Sequence, residues 1–503
     1  MSVLVPAKRP VFRATWGRLA LALVGAGALG VLAAFSLPAA LLAIGAALVV
    51  FAACGVEALS VAAFWALPYM SFNLPTGSFT LKLCDGVAYL FTVAWLVRAA
   101  LRRERIALPP ATVQVLVFLA ALAVSAMCSP NIPAIYSDDL SPTNRNAPNF
   151  RSGSLIIWLG LSWLVVVALY NVIGSRPDLY RRCVRAHVLS SGLACLISLG
   201  MYVLGLYGFR FNEHANGRSL IFDTGRYLRL AGVAYEPMFL GFYLLTVIPV
   251  TIAVRSFHPA WLSRRTCSFV LGLQILAMIL TLSSGGWAGL IIALTVMALL
   301  LRPRVLRPRV MLGVGVVIAL AAAAFLVVPK IQSIVGDTTD KITNGGDNIR
   351  KMEWKVGYDL IDDYPVLGVG PGMARFYFTR YHAGQRWIPF GADEEINNVY
   401  INVMAENGIV GFAAFMACAI TGIAGLALPL RRFGPKRLPL LCGLLASLIG
   451  VAAQYNSLNS LFVVYFPVLV GLACAAARLA PTGVEVPAEP AASSLALAKV
   501  NSA

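Results

Sequence analysis

Arginines, carboxylates and a pair of asparagines give this chain its chemical reach. Arg226 and Arg229 precede Glu236-Pro237. Arg350, Arg375, Arg380 and Arg386 share a polar stretch with Lys351, Lys355 and His382. The run Asp393-Glu394-Glu395-Ile396-Asn397-Asn398-Val399-Tyr400 then leads into an apolar segment holding Asn402, Glu406 and Gly408. A guanidinium group presents a planar fork of donors that matches phosphate oxygens. Arginines from two separate stretches, Arg229 and Arg350 first among them, can clamp a diphosphate and stabilise charge as it leaves. Asn397, Asn398 and Tyr400 suit hydroxyl groups, and Tyr381, Trp387 and Phe390 can stack on sugar rings. If an attacking hydroxyl must lose a proton, the candidate bases are Glu395, His382, Glu394 and Glu236. Glu395 ranks first because it adjoins the asparagine pair, and His382 second because it titrates nearest neutrality.

Each group also has an ordinary explanation. Arg210 and Arg218 can pair with Glu213 and Asp223 as surface charge. Acidic residues at a helix start favour its dipole, and Glu406 with Gly408 can simply fix helix packing. Glu236, several residues into an apolar run, is costly to bury and calls for a cation or a polar cavity; it can orient Arg229. Other chemistries lack their motifs. There is no Walker loop and no Ser/His/Asp order, and Gly368-Val369-Gly370 is not a dinucleotide fingerprint. The nine cysteines lie in or beside apolar runs without a CxxC or Cys/His cluster, so neither a disulfide framework nor a metal site is indicated.

The elements that must position these groups are membrane helices. Hydrophobic residues make up 59% of the chain and charged residues 12%, against about 25% charged in soluble proteins. Mean hydropathy is +0.79, which excludes an ordinary soluble enzyme and a disordered chain. The net charge of +18 sits in short loops between apolar runs, so it reports topology and not nucleic-acid binding. Runs of spanning length cover 17–36, 81–98, 111–128, 153–173, 187–208, 231–254, 267–283, 286–301, 310–328, 398–428, 438–456 and 459–479, and segment 37–70 holds up to two more. The expectation is an all-α polytopic membrane protein of 12–14 helices. Loops 8–18, 98–105, 176–185, 255–265, 302–309 and 431–437 carry 23 basic residues and two acidic ones. Alternating spans put all of them on one side, the cytoplasm, together with both termini. Four parts follow: a transmembrane bundle over 1–328, a large outer loop subdomain over 329–397, C-terminal helices over 398–479, and a disordered cytoplasmic tail over 480–503. The outer loop has eight basic and ten acidic residues in 329–395, with a helix expected over 347–363 and a turn at Gly368–Gly372.

Four blocks in this order resemble the O-antigen ligase / Wzy-type polymerase superfamily. They are Arg229…Gly232…Glu236-Pro237; Thr281-Leu282-Ser283-Ser284-Gly285-Gly286; Arg350…Trp354…Pro365…Gly368…Gly370-Pro371-Gly372; and Asn397-Asn398…Tyr400…Glu406…Gly408…Gly411. The likeness covers about 229–411. It implies a GT-C-like bacterial inner-membrane glycosyltransferase with its site facing the periplasm and no cofactor. Such an enzyme takes glycan from undecaprenyl diphosphate to an acceptor glycan, with a flippase and a chain-length regulator as partners. Glu395, His382, Arg229 and Arg350 would act on the reacting atoms. Arg226, Glu236, Arg375, Arg380, Asn397, Asn398 and Tyr400 would bind substrate. Ser284 stands where many members have arginine. Asn397 stands where ligases carry histidine, so a histidine role does not transfer to it.

The Asn-Asn and Glu-Pro pairs are closer to polymerases, so polymerisation of repeat units is the first reading. A ligase that moves glycan to lipid A core or protein is the second. A transporter or flippase would spread ionisable residues through several spans, whereas here the polar mass gathers in one outer loop. A non-catalytic assembly partner is a further alternative.

Overall fold

The computed structural model describes residues 55–71, 73–76, 79–129, 148–207, 221–223, 228–234, 236–301, 346–381, 395–435, 438–459, 461 and 463–482. Among these the chain is helical apart from two antiparallel hairpins, β1 (Asn73–Thr76) with β2 (Phe79–Lys82) and β3 (Ile221–Asp223) with β4 (Leu228–Leu230). The described helices, numbered in chain order, are α1 (Val56–Ala66), α2 (Leu83–Leu101), α3 (Thr112–Met127), α4 (Pro148–Val172), α5 (Pro177–Leu206), α6 (Pro237–Phe257), α7 (Arg264–Leu280), α8 (Ser284–Leu300), α9 (Gly346–Asp363), α10 (Phe378–Tyr381), α11 (Val399–Phe433), α12 (Pro439–Gln454) and α13 (Tyr465–Leu479). α2, α4, α5, α6 and α11 are long and apolar enough to cross a membrane, with α1, α3, α8, α12 and α13 as shorter apolar helices. The protein is an all-α polytopic membrane protein. The spans expected at 17–36 and 310–328, most of 37–54, and the tail beyond 482 lie outside the described residues. So do Arg226, His382 and Glu394, and the total of 12–14 helices rests partly on them.

Boundaries follow local chemistry. Ser263 caps α7 by accepting from the Thr266 N–H at 3.0 Å, and Ser283 caps α8 by accepting from Gly286 at 3.4 Å. Pro237 and Pro439 open α6 and α12, where a missing N–H costs nothing. α6 is apolar all round, and every residue from Leu240 to Thr251 is buried, as a central helix requires. α8 lies against α12 through facing glycines. A Cβ on Gly289 would stand 2.6 Å from the Gly450 carbonyl oxygen, and one on Gly450 would stand 2.7 Å from that of Gly289. Helices in lipid approach closely through such small residues. Inside the bundle, Gln274 donates to Ser191 at 2.6 Å and to Thr251 at 3.1 Å.

The ends of the helices sort by charge. At one end Glu57 accepts from Arg98 at 3.0 Å and also from Arg176. There Asn171 exchanges hydrogen bonds of 2.9 and 2.8 Å with the Ala107 backbone. Pro110 adjoins Gly425 of α11, and Pro249 of α6 adjoins Gly443 of α12. The described basic loops therefore gather at one end. At the other end, α9 lays an apolar face onto the start of α11. Val356, Leu360, Val369, Met373, Phe376, Tyr377, Ile396 and Ile401 form one buried cluster, with Trp354, Tyr364 and Tyr381 packed on it. The helix expected over 347–363 is α9.

Candidate active site

α11 begins at an asparagine that holds its own helix. The Asn398 side-chain oxygen accepts from the N–H groups of Tyr400 (3.0 Å) and Ile401 (3.2 Å). Asn397 grips Glu353 of α9, giving its backbone N–H at 3.0 Å and its amide at 3.1 Å. The Tyr400 hydroxyl donates to the Ala452 carbonyl at 2.7 Å, tying α11 to α12. With the start fixed in this way, Asn398, Asn402 and Glu406 follow at four-residue spacing on one buried stripe.

At Gly408 the helix breaks, with φ 60° and ψ −168°. The turn segment 365–370 supplies the lost ladder. Val369 and Gly370 donate to the carbonyls of Ala405 (3.2 Å) and Glu406 (2.8 Å), and Ile409 and Val410 donate to those of Pro365 (2.8 Å) and Val366 (3.3 Å). The two backbones run so close that a Cβ on Gly368 would meet Glu406 at 2.3 Å and one on Gly408 would meet Val366 at 2.2 Å. Only glycine fits both the contact and the positive φ. Serines in and just after α3, and one of α4, carry the turn from the other side. Ser125 donates to Leu367 at 2.7 Å, Ser129 to Val369 at 2.5 Å and Ser152 to Pro371 at 2.7 Å.

This scaffold brings charged groups from three parts of the chain together. Arg151, at the start of α4, donates from Nη2 to Glu395 Oε1 at 2.6 Å and from Nε to the Gly372 carbonyl at 3.1 Å. Asn459 donates to Glu395 Oε2 at 3.4 Å. The Ala374 N–H reaches Glu406 Oε1 at 3.4 Å. A small cavity of about 50 Å³ lies among Arg151, Arg375, Glu395, Asn402, Glu406 and Asn459, with Leu155, Gly372 and Ala374 completing its wall. Guanidinium groups, carboxylates and amides facing one cavity can bind an anion and hydroxyls side by side. They can also move a proton between a hydroxyl and a carboxylate.

The expected residues are distributed as follows. Glu395 and Arg375 line the cavity, while Asn397, Asn398 and Tyr400 secure the helix beneath it. Arg229 lies on β4 and turns to the junction between α7 and α8, donating to the carbonyls of Thr281 (3.0 Å) and Leu282 (3.2 Å). This junction is strained, since Leu282 has φ 49°. Glu236 stands at the N-cap of α6, and Arg350 is half-buried on α9. Arg380 lies on α10. The Tyr381 hydroxyl is occupied by Asp363. Gly285, just past the Arg229 junction, abuts Ser457, two residues before Asn459, so that junction adjoins the segment bearing Asn459. Sequence reasoning missed Arg151 and Asn459. A signal existed for each: a basic residue opening a span on the side poor in basic loops, and a polar Asn456-Ser457-Leu458-Asn459 break between two apolar runs.

Residues 269–416 match the family model described as O-antigen ligase. The stretch includes Arg375, Glu395, Asn402 and Glu406, together with the glycine turn and the break at Gly408. Arg151, Arg229 and Asn459 lie outside it. The match supports the resemblance to the O-antigen ligase / Wzy-type superfamily. No curated protein sequence matches the chain.

Proposed function

From the O-antigen ligase match over 269–416, we propose that this glycosyltransferase-like membrane protein polymerises glycan repeat units carried on undecaprenyl diphosphate. The observation that carries this reading is the junction of Arg151, Glu395 and Asn459 at a cavity that Gly372, Ala374, Arg375, Asn402 and Glu406 of the matched segment also line. Glu395 accepts from both Arg151 and Asn459. A diphosphate oxygen entering beside Arg151 and Arg375 competes for those donors and releases Glu395. The acceptor hydroxyl then attacks the anomeric carbon of the donor sugar. The new C–O bond forms as the bond to the diphosphate breaks, Glu395 takes the hydroxyl proton, and the leaving diphosphate keeps the electron pair. Guanidinium groups stabilise the charge that develops on it. Arg229 and Arg350 contribute from the flanking junction and α9, and Arg226, Arg380 and His382 complete the set of residues assigned to the reaction. Glu236 orients Arg229. Asn397, Asn398 and Tyr400 position Asn402 and Glu406 toward the acceptor hydroxyls.

The reaction would take place on the outer face of a bacterial inner membrane, with both termini cytoplasmic and a flippase and chain-length regulator as partners. The matching family's designation as O-antigen ligase favours the second reading, ligation; in that reading the glycan goes to lipid A core or protein. Reconstitution in liposomes with lipid-linked repeat units separates the two. A ladder of lengthening lipid-linked chains on a gel supports polymerisation. Transfer only on addition of a lipid A core or protein acceptor, without a ladder, assigns ligation. No transfer in either arm overturns the proposal.

A further inference from the structure

A second cavity, of about 270 Å³, lies among Arg98, Arg105, Asn171, Arg176 and Arg478. Arg151 and Asn171 mark opposite ends of α4, about 30 Å apart along its axis, which is the thickness of a bilayer's hydrocarbon core. The cavity therefore belongs to the membrane interface opposite the candidate active site. Four guanidinium groups meet there with two carboxylates. The buried Arg98 lies 3.0 Å from Glu57 and 3.5 Å from Glu104, and Arg176 shares Glu57 with it. Arg478 donates to the Tyr170 carbonyl at 3.1 Å and lies over the Tyr170 ring at 4.7 Å. Among the described residues neither Arg105 nor Arg478 has a carboxylate partner. The surplus is positive, and guanidinium forks match phosphate oxygens. Ala99 and Ile106 add an apolar wall, while Leu101, Ile106 and Leu108 are exposed nearby. A free phosphate makes no use of such apolar surroundings, whereas a lipid places its glycerol and acyl chains against them. Basic pockets between membrane helices bind anionic headgroups in this way.

We propose that this cavity binds the phosphodiester of an anionic membrane phospholipid. The test uses the full chain in neutral detergent. Its thermal midpoint is followed against added phosphatidylglycerol, phosphatidylcholine or inorganic phosphate. Phosphatidylglycerol is expected to raise the midpoint, and the other two to leave it unchanged. Arg105→Gln is expected to need about tenfold more phosphatidylglycerol for the same shift, and Arg105→Gln with Arg478→Gln more still. Arg105 is exposed, so the single variant keeps the test valid if the double variant fails to fold. Arg264→Gln with Arg265→Gln removes two exposed charges at the same end without touching the cavity, and should behave as wild type. The proposal is overturned if phosphatidylglycerol gives no shift, if inorganic phosphate gives an equal one, or if the Arg264/Arg265 variant loses as much as the cavity variants.

Discussion

Glu395 has both carboxylate oxygens engaged, one by Arg151 and one by Asn459, so its availability as a base is coupled to whatever else those donors bind. Two variants should therefore fail differently. Glu395→Gln keeps the hydrogen-bonding shape but removes the proton acceptor. Transfer should fall about 10²–10⁴-fold with donor binding retained. Arg151→Ala removes charge stabilisation and should cost about 10²–10³-fold, with donor binding weakened and Lys restoring only part of it. Full activity in either variant removes that residue from the mechanism. Glu395 was legible in the sequence because it adjoins the asparagine pair. Arg151 was not, because 244 residues separate it from its partner and no local pattern links them. Asn397, Asn398 and Tyr400 were legible as important positions. Their bonds to Glu353, the α11 backbone and Ala452 depend on neighbours that a linear reading does not supply. At the opposite end, buried His258 stacks on Trp261 at 4.4 Å, and burial lowers its pKa from 6.5 to about 4. Below pH 6.5 the unfolded chain takes up a proton that the folded one refuses. Stability present above that pH should thus be lost on acidification, at up to about 1.4 kcal/mol per pH unit. His258→Phe should flatten the thermal midpoint against pH between 6.5 and 4.

At the scale of elements, the spans were legible because apolar length is a local property. Ten described helices match runs visible in hydropathy. The hairpins were not, since strands of three and four residues leave little pattern. Nor was the break inside α11. Residues 398–428 read as one uninterrupted span, and the glycine at 408 gains its meaning only from the turn at 365–370 that lies against it. Gly408→Ala should destabilise the fold by at least about 1–3 kcal/mol of backbone strain, with the clash against Val366 added. Gly422→Ala, on the same helix with nothing within 4 Å of the added carbon, should be neutral or gain about 0.5–1 kcal/mol. Thermal unfolding of both variants provides the comparison. Equal effects would mean that the break at Gly408 does not depend on glycine.

Across the whole molecule, charge and chemistry occupy opposite ends of the helices. Arg102, Arg103 and Arg176 flank helices, and Arg181, Arg264, Arg265, Arg431 and Arg432 lie in or beside first or last turns, at the end marked by Glu57 and Asn171. The candidate active site, at the start of α4 and α11, has arginines matched by carboxylates. Basic loops remain in the cytoplasm because moving them across the membrane is disfavoured, so the site end should face outward, where a lipid-linked glycan would be presented. The chain carries its own reporter in Cys128, which is exposed at the site end of α3. An impermeant maleimide should label it in intact spheroplasts. In a Cys128→Ser background, Asp362→Cys on the exposed face of α9 should regain the label, and Arg264→Cys should react only after the membrane is permeabilised. Labelling of Arg264→Cys in intact spheroplasts, with Asp362→Cys protected, would invert the molecule. The proposed transfer would then have to draw on cytoplasmic donors, and the second cavity would lie at the outer interface.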